Sequence, residues 1–162
     1  MTRQEVEQVG ATMGLSFGIL AAVVGCFNLA FIIPDLIYAY GGSTCVTTFP
    51  AGFSLTLSKW LEVDAYTRIG IVGLFFIVAV VSCISAESGV KLAIFAILAL
   101  LLYSVFTVAW MIVGAIMFWG RLNPTGVCTG GVQAYMYALL IISFIGVCCN
   151  CLISSNSRNN TQ

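Results

Sequence analysis

Seven cysteines and no histidine set the limits of chemistry in this chain of 162 residues. Without imidazole, the usual acid/base group near neutral pH and the commonest metal ligand are both missing. Thiols remain. Cys148-Cys149-Asn150-Cys151 contains a CxxC, a spacing that can cycle between dithiol and disulfide. Cys45 and Cys128 stand alone in two separate polar segments, where they could form a disulfide or remain free thiols in a reducing compartment. Such a bond could lie within one chain or between two chains. If it forms within the chain it staples about 80 residues into a loop, for which chain entropy gives roughly 4–5 kcal/mol.

Two further constellations concern packing. Gly14, Gly18, Ala21 and Gly25 follow one another along one helical face, and small residues let helices approach closely where no hydrophobic effect drives them together. That seam meets either a helix of the same chain or another protein. Asn28 and Trp110 are polar groups inside apolar runs, and an unpaired amide in lipid is costly. Asn28 therefore meets Trp110 or Thr107 across the bundle, or bonds locally to its own helix.

The elements that must hold these residues follow from composition. Hydrophobic residues make up 60% of the chain and charged residues only 7%, with a mean hydropathy of +1.07. A soluble domain carries about 25% charged residues, so lipid must cover most of this surface. The net charge of zero offers no electrostatic reason to expect a nucleic-acid partner. A span needs about 20 apolar residues, and four segments qualify: about 11–33, 60–85, 91–119 and 132–153. Residues 1–10 are a polar lead and 154–162 a polar tail expected to be disordered. The first run is too long for a signal peptide and its leader holds Glu5 and Glu7. Pro34-Asp35 is expected to end it.

The fold class expected is thus all-α, an integral membrane four-helix bundle. Only Ala86-Glu87-Ser88-Gly89 separates spans two and three, which forces a long antiparallel hairpin of helices 2 and 3. In the approach to span two, Asp64 and Arg68 stand at i,i+4 in the favourable acid-first order. No Asp, Glu, Lys or Arg is expected deep within a span, which argues against ion-coupled transporters and voltage sensors. Tyr38, Tyr40, Trp60, Tyr66, Trp119, Tyr135 and Tyr137 gather toward one side, as an aromatic belt at the headgroups does.

Orientation is not set by the positive-inside rule, because Arg3, Lys91 and Arg158 on one side balance Lys59, Arg68 and Arg121 on the other. Cysteine chemistry decides it. Cys45 and Cys128 on one membrane face suit an oxidising compartment. Cys148, Cys149 and Cys151 at the opposite mouth suit S-palmitoylation in the cytosol. Both place the termini in the cytosol, in a plasma membrane or endomembrane protein. The formal glycosylation acceptor Asn159-Asn160-Thr161 then lies on the cytosolic side.

The stretch from Trp110 to Cys151 carries Trp110 and Gly114, Pro124 and Cys128, then Tyr135-Met136-Tyr137-Ala138 and a closing cysteine cluster. Upstream stand Gly41-Gly42, Cys45 and Trp60-Leu61. In these features the chain resembles the transmembrane protein 272-like proteins, a four-span group. The resemblance implies a four-helix membrane fold and no particular activity. Claudins differ, since their first loop carries a closely spaced cysteine pair where this one has a single cysteine. Tetraspanins differ in placing a large, cysteine-rich loop between spans three and four.

Quinone-linked thiol oxidoreductases are also four-helix membrane proteins, but they need two cysteine pairs on one face. Here the CxxC lies across the membrane from Cys45 and Cys128. The expectation is therefore a protein that is not an enzyme and uses no cofactor or metal. Its partners are the lipid bilayer and either further copies of itself or other membrane proteins. It would act as an accessory, scaffold or self-associating subunit, with a pore-forming oligomeric channel as the main alternative.

Overall fold

A computed structural model of the protein describes residues 3–159, leaving aside the side chains at 3–18, 20–21, 86–87, 90, 93 and 149–159. The described residues are helical with short connections. In order they form α1 (Arg3–Tyr40), the single turn α2 (Thr44–Thr47), α3 (Leu57–Ile84), α4 (Ala86–Met117), a π-helical turn (Phe118–Leu122) and α5 (Gly131–Asn159). Four apolar stretches are long enough to cross a membrane: Ala22–Tyr40, Leu57–Ile84, Ile94–Leu122 and Gly131–Cys148. This is an all-α, multi-pass membrane protein built as a helical bundle.

Several boundaries differ from those the sequence suggests. α1 does not stop at Pro34-Asp35 but continues through them to Tyr40. A proline inside a helix loses one i→i−4 hydrogen bond and crowds the preceding turn, yet membrane helices tolerate it where neighbours satisfy the freed groups. The continued helix carries Asp35, which is fully buried and lies 4.0 Å from the Arg68 guanidinium of α3. At the far end, α5 continues through the polar residues to Asn159, beyond the boundary near 153. Once a helix has nucleated, each further residue adds a hydrogen bond at little cost.

The connection between α3 and α4 shrinks to Ser85 alone. Its hydroxyl accepts from the Ser88 amide at 3.4 Å, as an N-cap does for the third helical residue. A Cβ on Gly89 would lie 2.7 Å from the Ser82 Cα, a separation no side chain permits. Glycine is what lets the first turn of α4 rest on the backbone of α3.

The chain divides into two compact units. One joins α1 up to Ile37 with Leu61–Phe106; its buried side chains include Ile32, Leu61, Ala65, Phe75 and Val78. The other joins Tyr38–Trp60 with the chain from Thr107 onward. It holds most of the largest fully buried side chains, among them Phe118, Leu57, Met117, Leu122, Met136, Leu139 and Leu140.

Candidate functional site

The first unit contains a charged cluster on membrane-spanning helices. Asp64 and Arg68 lie one turn apart on α3, and the Arg68 Nε donates to Asp64 Oδ2 at 2.6 Å. Asp35 of α1 approaches the same guanidinium at 4.0 Å, with side-chain exposures of 15% for Arg68 and 0% for Asp35. Phe31, one turn before Asp35, places its ring 5.2 Å from the Arg68 Cζ, within cation–π range. Two carboxylates and one guanidinium thus share a poorly hydrated site contributed by α1 and α3.

The sequence puts Asp64 and Arg68 in the approach to span two; the structure largely buries them, with Asp35, on the helical stretches Leu57–Ile84 and Ala22–Tyr40. The i,i+4 spacing of Asp64 and Arg68 is legible in the sequence, but their burial is not. Asp35 is concealed by the proline before it, which reads as a helix end. The signal available is that apolar residues resume at once in Leu36-Ile37-Tyr38-Ala39. Ionisable groups within spans pair with one another and mark either structural locks or ion pathways.

The second unit contains the disulfide that the sequence offered. Cys45 and Cys128 are bonded within the chain, with Cα atoms 4.7 Å apart, inside the usual range. Both are buried. In the same unit, α3 and α4 exchange hydrogen bonds through two tryptophans. Trp60 Nε1 donates to the Trp110 carbonyl at 2.9 Å, and Trp110 Nε1 donates to the Trp60 carbonyl at 3.2 Å. Their rings are 6° from parallel with centroids 6.2 Å apart. Gly114 lies directly against the Trp60 ring, where a Cβ would fall 2.5 Å from Cε2. The clasp therefore depends on glycine at that position, and any side chain there would have to displace the indole.

A polar chain runs along the start of α5. Gln133 Nε2 donates to Asn123 Oδ1 at 2.8 Å, and Asn123 Nδ2 donates to the Tyr137 hydroxyl at 2.8 Å. Trp119 stacks on Phe144 at 9° between planes and tilts against Tyr137. Tyr38 packs on Tyr135 at 5.1 Å. Of the aromatic belt, Tyr40 and Tyr66 are well exposed, whereas Trp60 is only 2% exposed and belongs to the clasp.

The remaining sequence-derived sites divide by what is described. Asn28 takes the local route, its Nδ2 donating to the Val24 carbonyl at 2.8 Å, while the Trp110 indole bonds as above. Along the small-residue face, Gly25 is buried and its α-carbon faces Val72 of α3, whose Cγ1 would meet a Cβ at 3.6 Å. The environments of Gly14, Gly18 and Ala21 lie outside the described residues. So do those of Cys149 and Cys151, while Cys148 is a free, exposed thiol. No group of three or more His, Cys, Asp or Glu side chains able to hold a metal occurs among the described residues.

Compared with protein-family models, with curated proteins and with solved structures, the chain matches none.

Proposed function

We propose that this protein acts without catalysis, by assembling in the bilayer as an accessory, scaffold or self-associating subunit. The observation that carries the reading is how its buried charges are disposed. Arg68 is held by Asp64 of its own helix and faces Asp35 of α1, an arrangement suited to tying α1 to α3. Within Ile94–Leu122 only 11% of the apolar window is buried inside the chain, so α4 leaves much of its surface to lipid or to another chain. In this reading α1, α3, α4 and α5 form a four-helix bundle with α3 and α4 as an antiparallel hairpin, and the disulfide and tryptophan clasp fix its end.

The test is the mass of the complex extracted in mild detergent, with co-purifying chains identified. A discrete homo-oligomer or a stoichiometric membrane partner is expected. A bare monomer that recovers no partner under crosslinking in the membrane would remove the proposal. The charged cluster favours one second reading, a pore-forming oligomer, because intramembrane charges also line ion paths. A ring-shaped oligomer that conducts in a planar bilayer would select it.

The same proposal places the termini in the cytosol, because the disulfide calls for an oxidising compartment around its loops. Cys148, Cys149 and Cys151 then lie where S-palmitoylation occurs. Asn159 is accordingly expected to carry no glycan. A glycosidase-sensitive mobility shift that disappears in Asn159→Gln would reverse the orientation.

A further inference from the structure

The connections of the second unit enclose a cleft of about 310 Å³ between the segment after α2 and the turn that follows α4. Its walls include Phe49, Pro50, Ala51, Pro124 and Val127, and its only charged lining residue is Arg121. Two covalent neighbours fix the walls, since Cys45 precedes the Thr48–Ala51 wall and Cys128 follows Val127 in the other. The cleft is therefore built before any ligand arrives, which lowers the entropic cost of binding.

The π turn sets the position of the charge. The Asn123 amide donates to the Phe118 carbonyl five residues back, at 2.8 Å. The extra residue in that turn leaves Leu122 buried and Arg121 exposed. π turns are rare and recur at functional sites. Among the described residues the Arg121 side chain has neither an ion pair nor a hydrogen bond, unlike that of the buried Arg68. The hydroxyls of Thr48 and Thr125 donate to backbone carbonyls within their own turns, so the guanidinium is the principal free donor in the cleft.

We propose that this cleft binds the phosphate of a phospholipid headgroup, with Arg121 on the phosphate and the apolar walls on the glycerol and first acyl carbons. Guanidinium matches phosphate in a bidentate fork. Arg121 lies at the end of the Ile94–Leu122 span, the level at which headgroups meet a bundle. A free inorganic phosphate would make no use of Phe49, which is 64% exposed, or of Pro50, Pro124 and Val127. The apolar lining is what selects the lipid. This site is independent of whether the protein assembles with partners.

The experiment uses the full-length protein, delipidated in a non-ionic detergent. Its thermal unfolding midpoint is followed while dihexanoylphosphatidylglycerol, dihexanoylphosphatidylcholine or inorganic phosphate is titrated in. Both short-chain lipids are expected to raise the midpoint saturably, and inorganic phosphate at equal concentration is not. Arg121→Gln should raise the half-saturating lipid concentration at least tenfold. Ala51→Trp, which fills the mouth from an exposed position and leaves the cation in place, should do the same. Retention of the disulfide on a non-reducing gel checks that each variant is folded, and Arg121→Gln decides the matter if Ala51→Trp is not. Lipid saturation unchanged by Arg121→Gln overturns the proposal. So does an equal shift from inorganic phosphate, which would make the occupant a free anion.

Discussion

Replacing both bonded cysteines, as Cys45→Ala/Cys128→Ala, is expected to lower stability in mild detergent by about 2–5 kcal/mol. The bond joins residues separated by 83 positions, and the loop-entropy model gives roughly 4–5 kcal/mol for a loop of that length. That figure is an upper bound in a membrane. An unfolded chain whose spans stay inserted has fewer conformations to lose than one free in water, so cross-linking it removes less entropy. Packing adds to the loss, because both cysteines are 1% exposed and each substitution leaves a small void. The measurement is a denaturation curve of wild type, reduced wild type and the double variant. Reduced wild type should shift in the same direction as the variant, and the variant somewhat further because of its voids. Coincidence of all three curves would mean that the tryptophan clasp and the core around Phe118, Met136 and Leu140 hold this unit without covalent help.

The sequence shows the spans clearly and offers the disulfide as one of two readings of Cys45 and Cys128, because each rests on a local property. A run of apolar residues is its own signal, and two lone cysteines in polar segments point to each other. The features that close the fold are of another kind. Trp60 and Trp110 each look like an ordinary interfacial aromatic; only a structure brings each indole to the other's carbonyl, 50 residues away in sequence. Gly114 looks like any small residue until the Trp60 ring is found against it. Asp35 is the most instructive case. Proline before aspartate usually ends a helix, and the local preference is correct on its own terms. It yields here because the seven residues from Pro34 to Tyr40 carry a carboxylate to the guanidinium of another helix. The cleft beside Arg121 was hidden for a related reason. A π turn adds one residue to a helical register, and no composition or periodicity in Phe118–Leu122 announces it.

Arg68→Met is expected to cost about 3–5 kcal/mol, the range for removing one member of a buried ion pair, and on the order of 10 °C in the unfolding midpoint. The large effect comes from what is left behind. Asp64, with 8% of its side chain exposed, and Asp35, with none, would remain as carboxylates without their cation. Methionine has much the same length as the aliphatic stem of arginine and keeps the contact with Phe31, so lost packing contributes little. Neutralising the whole group separates the two contributions. In Asp35→Asn/Asp64→Asn/Arg68→Met no uncompensated charge remains, and replacing a buried ionic group by neutral residues of similar volume is often neutral or stabilising. Most of the lost stability should therefore return in the triple variant, although Asn side chains still need hydrogen-bond partners. A triple variant as unstable as Arg68→Met would show that shape, not charge, governs the site. A fully stable triple variant that also retains assembly would mark the cluster as a dispensable lock. If assembly or conductance is lost while stability returns, the charges serve the function directly, because the fold no longer needs them.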